Sequence, residues 1–253
     1  EAARQPALPG LPPARYHRCG KRLHDGSSLP VHPLPRSSRS VARLLERLRS
    51  RLRPRLRRLV PRQFRRDGVV FIHIPKCAGS AFLDAYLGFQ TGHVTAREYR
   101  HADPGFFDAA YVFTFVRDPL ARFVSAYDHI QTGDLWDYLP AMKQLVDRHG
   151  GTVAEVAAAL GPDSELLGLP WFAPQHTFLE IRGRLAVNRV FKTESFDADL
   201  DVIRDETAIR LREAAPVNRR GDGSASYADR LGESGVANLR RVYARDFTLF
   251  GYY

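Results

Sequence analysis

Two short apolar runs organise the pattern of hydrophobic and polar positions. Residues 69–74 are apolar apart from His73, and residues 111–116 alternate aromatic and β-branched side chains. Runs of this kind predict central parallel strands covered on both faces. Each leads into a turn with polar groups, Pro75 to Gly79 in the first case and Arg117-Asp118-Pro119 in the second. A helical pattern follows each turn, over 80–88 and over 120–130, with Pro119 at or near the first helical position. Ser80 suits an N-cap or first-turn position. Further helices are expected over 134–147, 152–160, 197–214 and 229–250, and a late strand over 187–191. Residues 93–109 read as partly helical, 163–183 as irregular and 216–227 as a polar loop. Strands alternating with helices predict an α/β domain with three layers, a central parallel sheet flanked by helices.

Charge divides the chain at Asp67. Residues 1–66 hold 18 Lys/Arg against 3 Asp/Glu, and residues 67–253 hold 20 against 25, so the overall +10 belongs to an N-terminal arm. Residues 67–253 form the expected folded domain. Its mildly acidic balance argues against a nucleic-acid partner. The arm is rich in Pro, Arg, Ser and Gly, a composition that predicts disorder. Within it, leucines spaced three and four apart over 41–60 predict a basic amphipathic helix, kinked at Pro54. Peripheral contact with an anionic membrane or a protein is one reading of that helix; a solvated helix with no role is the other. Two cysteines, Cys19 and Cys77, make neither a disulfide framework nor a metal-ligand spacing. The expected setting is therefore reducing and cytoplasmic, with membrane association through the arm left open. No stretch reaches the roughly 18–20 apolar residues of a membrane span, and no secretory signal opens the chain. It begins at Glu1 rather than Met, so an upstream anchor stays open too.

The first turn has the chemistry of an anion site. A strand ending at a helix N-terminus presents free N–H groups and the positive end of the helix dipole. Lys76 adds a full charge, Ala78 and Gly79 keep the turn small, and Ser80 adds a hydroxyl. A triphosphate loop of the form Gly-x-x-x-x-Gly-Lys-Ser/Thr is absent, since Lys76 precedes Gly79. A cysteine phosphatase would need an arginine six residues after Cys77, and Leu83 stands there.

His73-Ile-Pro-Lys-Cys-Ala-Gly-Ser80 resembles the 5′-phosphosulfate loop of sulfotransferases that use 3′-phosphoadenosine-5′-phosphosulfate (PAPS), closest to the carbohydrate branch. The segment 113–127, Phe-Thr-Phe-Val-Arg-Asp-Pro-Leu-Ala-Arg-Phe-Val-Ser-Ala-Tyr, resembles the 3′-phosphate segment of that family. The resemblance is strong over 68–132 and returns weakly near 190–196, 216–219 and 243–251. It implies a P-loop-like fold and a cofactor site of Lys76, Cys77, Ala78, Gly79, Ser80, Ala81, Arg117 and Ser125. Asn218 and Arg219 resemble a family segment near the nucleotide. Cys77 and Ala78 stand where the family usually has Thr and Gly, and the thiol is an expected target for oxidation or alkylation. Arg122 either reaches a phosphate or caps the helix surface.

Sulfuryl transfer needs charge neutralised on the leaving phosphate and a proton taken from the acceptor. Lys76 suits the first task. For the second, the candidates between the two turns are His93, Glu98 and His101. His93 is similar in position to the base of the heparan sulfate 6-O-sulfotransferases and is preferred. His73, on the strand, is expected to be structural. His129, Trp171, Gln175 and His176 are acceptor-side candidates, Trp171 because an aromatic ring beside polar groups suits a sugar. Trp171 as plain core is an equal reading. The activity implied is transfer of a sulfuryl group from PAPS, without a metal, to a hydroxyl acceptor, a carbohydrate by preference. Two alternatives stand beside it: a nucleotide-dependent phosphotransferase or kinase, and a non-catalytic adenosine-bisphosphate-binding adaptor.

Overall fold

The computed structural model describes residues 59–132, 139–212 and 226–252. Asn218, Arg219, Cys19 and all but the end of the helix expected over 41–60 lie outside the described residues. In chain order the elements are α1 (Arg62–Asp67), β1 (Val69–Ile72), α2 (Gly79–Tyr86), α3 (Ala96–Ala102), α4 (Pro104–Ala109), β2 (Tyr111–Val116) and α5 (Pro119–Thr132). Then come α6 (Leu139–Asp147), α7 (Val153–Ala159), α8 (His176–Leu179), β3 (Glu180–Ile181), β4 (Arg184–Leu185), β5 (Arg189–Lys192), α9 (Phe196–Glu206), α10 (Tyr227–Val242) and α11 (Ala244–Phe250).

The central sheet is parallel and has three strands in the order β1-β2-β5. Ile72 lies opposite Thr114, and Val116 opposite Lys192. All four residues of β1 are buried, as are all of β2 after Tyr111, so both faces of the sheet are covered. The one polar side chain inside β2, Thr114, donates its hydroxyl to the Ile72 carbonyl at 2.8 Å, which removes the cost of burying it. One apolar core surrounds the sheet and contains Phe71, Phe82, Phe113 and Phe115. A second lies where α5, α7 and α10 meet, around Phe123, Ile130, Val156 and Leu239.

The structure departs from the expected elements where tertiary contacts outweigh local pattern. Val60 and Phe64 are buried, and Phe64 stacks on Tyr86 at 5.9 Å, so packing begins upstream of Asp67. The first strand stops at Ile72, because the chain is already curving toward the turn. The helix expected over 197–214 ends at Glu206, where the Thr207 hydroxyl bonds the Ile203 carbonyl and accepts from the Ile209 amide. That expected over 229–250 is two helices, and Gly232, at φ 66° and ψ 165°, kinks the first. The small antiparallel pair β3–β4 was not expected; its two-residue turn is Arg182-Gly183, both at positive φ, without the Asn-Gly or Asp-Gly signal of such hairpins.

Candidate active site

The two turns predicted from sequence lie side by side at the carboxyl ends of β1 and β2. The first is unusually constrained. Lys76 and Ala78 both have positive φ, 68° and 57°, each at a cost of about 1–2 kcal/mol for a residue with a Cβ. A Cβ on Gly79 would come within 2.2 Å of the His73 ring, so only glycine fits there. His73 is 4% exposed, and burial first, then the neighbouring His93, pull its pKa down to about 3. It is a neutral wedge beneath the turn, and its Nδ1 has no partner among the described residues. The structural role expected for His73 fits this setting.

Helix α2 starts immediately above that wedge. Its N-cap is Ala78, which puts Ser80 in the first turn, and Ala78 offers no side-chain cap; the first helical bond runs from the Phe82 amide to the Ala78 carbonyl. The amides of Gly79, Ser80 and Ala81 are thus at the open end of the helix. By contrast Thr95, Thr152 and Ser226 close the starts of α3, α7 and α10 with full capping boxes. Cys77 corrects one expectation. Its side chain is buried, its thiol lies 3.2 Å from Gln175 Oε1, and burial pushes its pKa up to about 12. A thiol so placed does not form the thiolate that oxidation or alkylation requires.

Around the second turn, Asp118 caps α5 by accepting from the Ala121 amide at 2.9 Å, while its own amide donates to Glu194 Oε1 at 3.0 Å. The Arg117 backbone is paired on both sides with the Gln175 amide group: N–H to Oε1 at 3.0 Å, and carbonyl from Nε2 at 2.8 Å. Its guanidinium donates to the Tyr227 hydroxyl at 3.0 Å and lies 5.8 Å from that ring. Ser125 is half-buried, two turns along α5. Arg122 faces the interior, 3% exposed, and grips three carbonyls: Pro75 at 3.0 Å, Ala173 at 2.8 Å and Pro170 at 3.0 Å. It therefore neither reaches a phosphate nor caps the surface. It ties the first turn to the segment carrying Trp171.

His93 lies beside this assembly. Its ring is 4.6 Å from that of His73 and 5.6 Å from that of Trp171, and its Nδ1 is 3.3 Å from the His73 carbonyl. A carbonyl only accepts, so Nδ1 carries the proton and Nε2 keeps its lone pair. Burial lowers the His93 pKa, the His73 carbonyl partly opposes this, and the positive charges of Arg122 and Lys76 lower it further. Glu98 is engaged in the α3 capping box, and His101 is exposed in the last turn of that helix. Of the three base candidates, His93 alone stands against the first turn.

The acceptor-side candidates separate. Trp171 is half-buried against His93. Gln175 is fully buried, with its amide committed to Arg117 and Cys77, which corrects its expected role on the acceptor side. His176 is pinned by Asp246 at 2.7 Å. His129 lies one turn after Ser125 on α5, next to Asp128, which pairs with Arg230. Sequence reasoning missed Tyr227, Glu194 and Asp246, whose partners are 58 to 110 residues away. Glu194 and Asp246 do lie in stretches, near 190–196 and 243–251, where the family resemblance returns weakly.

No described helix is long and apolar enough to cross a membrane. Neither a curated protein nor a solved structure matches the chain. Residues 62–149, about a third of the chain, match the sulfotransferase family, Sulfotransfer_2. The match takes in both turns, His93 and Ser125 and ends before Trp171, Gln175 and Asp246; it supports a sulfotransferase family and with it a transferase that moves sulfuryl groups.

Proposed function

We propose that the protein transfers a sulfuryl group from PAPS to a hydroxyl of a saccharide acceptor, within a P-loop-like architecture. Lys76 and the amides of Gly79, Ser80 and Ala81 bind the 5′-phosphosulfate. Arg117 and Ser125 bind the 3′-phosphate, Arg117 through a planar guanidinium suited to a terminal phosphate. Bound PAPS supplies an electrophilic sulfur and a phosphate leaving group. His93 Nε2 takes the acceptor proton as the acceptor oxygen bonds to sulfur and the bond from sulfur to the phosphate oxygen breaks. Lys76 offsets the charge left on that phosphate. Trp171, beside His93, offers the apolar face on which a sugar ring stacks.

The observation that carries this reading is the convergence of the donors. Two strand-to-helix turns, one with an uncapped helix start and a lysine, the other with an arginine, share one buried glutamine. Such a donor set suits a nucleotide bearing phosphate groups at two positions. The test is calorimetric titration with adenosine 3′,5′-bisphosphate, 5′-AMP and ATP, on the wild type and Arg117→Ala. Preference for the bisphosphate, lost by roughly ten- to hundredfold in the variant, is expected for a charge-assisted phosphate contact. No preference over ATP would move the reading to a phosphotransferase. Bisphosphate binding without turnover on any saccharide would move it to an adenosine-bisphosphate-binding adaptor.

A further inference from the structure

The Gln175 side chain behaves as a piece of backbone inserted between the two turns. Past Val116 the β2 backbone has no further strand partner: its pairing with β1 ends at Thr114 and with β5 at Val116. At Arg117 the Gln175 amide takes over, accepting from N–H at 3.0 Å and donating to C=O at 2.8 Å, as a neighbouring strand would. The same Oε1 faces the Cys77 thiol at 3.2 Å, so one oxygen touches both turns. Gln175 is itself held. Asp246, fully buried on α11, accepts from the Gln175 backbone N–H at 2.6 Å through Oδ2. Through Oδ1 it accepts from the His176 amide at 2.9 Å and faces the His176 ring at 2.7 Å.

We infer that Gln175 is a positioning residue that sets the spacing between the two anion-binding turns, with Asp246 holding it in place. This rests on the nucleotide site proposed above. A ligand with phosphate groups at two fixed positions binds tightly only if both turns wait at the matching separation. Lys76 and Arg117 lie in turns that follow different strands, and the sheet ladder has ended before either turn begins. Two side chains then bridge them: Arg122 on α5 holds the Pro75 carbonyl, and Gln175 touches both turns with one amide group. It touches no phosphate site with its own side chain, since both ends of its amide are already used.

The experiment is a double-mutant cycle on affinity for adenosine 3′,5′-bisphosphate, using Gln175→Met, Arg117→Ala and the pair. Methionine keeps the length and removes both hydrogen bonds to Arg117. Gln175→Met is expected to weaken binding about tenfold, and by less than about threefold when Arg117 is already alanine. Equal losses in both backgrounds would make Gln175 an ordinary core residue and overturn the inference. So would an unchanged affinity in the single variant. Should Arg117→Ala alone change nothing, the nucleotide site itself fails, which is a separate result. If Gln175→Met does not fold, Gln175→Glu replaces it. There the Arg117 carbonyl loses its donor and faces a carboxylate oxygen, and the same loss, with the same dependence on Arg117, decides the matter.

Discussion

The turn after β1 has a local wedge, His73 against Gly79, to which Arg122 and Gln175 add remote contacts, whereas the side-chain contacts of the turn after β2 come mainly from residues up to 110 positions away. In the first, His73 is wedged beneath Gly79, and Lys76 and Ala78 take up left-handed backbone. In the second, Gln175 pairs with the Arg117 backbone, Tyr227 holds its guanidinium and Glu194 takes the Asp118 amide. Each turn carries a cationic residue, Lys76 in the first and Arg117 in the second. The first has its wedge within one strand-turn-helix unit, with Arg122 and Gln175 joining it from outside. The second is ordered only when α8, α10 and the segment after β5 have packed. The proposed anion site therefore joins a turn with a local wedge to a turn held mainly by remote side chains, and changes to the two should differ in kind.

The largest expected effect concerns the base, which rests on the locally shaped turn. His93→Ala should reduce kcat by roughly 10²–10⁴-fold, as for loss of a general base, with nucleotide affinity little changed. In the wild type, activity should fall as pH drops and His93 becomes protonated. Because burial lowers its pKa, the acid limb should have its midpoint below 6.5; a limb centred above 6.5 would exclude His93 as the base.

Stability against pH probes the wedge. His73 has a pKa of about 3 when folded against 6.5 when free, so the unfolded chain binds the proton more readily. Stability contributed by the neutral ring is whole above pH 6.5 and is lost progressively as pH falls toward 3. Between pH 7 and 4.5 the loss should be roughly 3 kcal/mol, read by urea denaturation, and most of it should vanish in His73→Asn. An equal slope in the variant would mean that other groups cause it.

Gly79→Ala tests the same wedge sterically. Forcing a methyl group against the His73 ring should cost about 1–3 kcal/mol of stability and impair nucleotide binding. In a His73→Ala background the same substitution should cost much less. Additive costs would show that the clash is not with His73.

The smallest effect is expected at the second turn. Tyr227→Phe keeps the ring beside the Arg117 guanidinium and removes the hydroxyl partner, one hydrogen bond of about 0.5–1.5 kcal/mol. Affinity for adenosine 3′,5′-bisphosphate should drop by a factor of about two to ten, with the melting temperature nearly unchanged. If Tyr227→Phe instead destabilised the fold, the second turn would be more self-contained than its contacts indicate.

These contrasts explain what was legible in advance. β1, β2, both turns and the helix starts behind them could be read because each follows from a short local pattern: an apolar run, then small or polar turn residues, then helical spacing. Chemistry leaves three base candidates and the family resemblance prefers His93 among them, to which the structure adds its contacts with the His73 carbonyl and Trp171. Gln175 and Arg122 were visible as polar residues in suggestive places and were assigned outward-facing roles. Both point inward, because a buried amide or guanidinium can be satisfied by carbonyls and amides that come together only on folding.

The sequence by itself determined the strand-turn-helix units, the cationic residue in each turn and the glycine the first turn needs, because all of these depend on neighbours a few residues apart. Tertiary structure alone decided the separation of the two turns, the orientation of Arg117 and the contacts around His93. Those rest on Gln175, Asp246, Tyr227 and Trp171, which reach the site from remote parts of the chain, and a hydrogen bond between remote residues leaves no periodic trace in the order of amino acids.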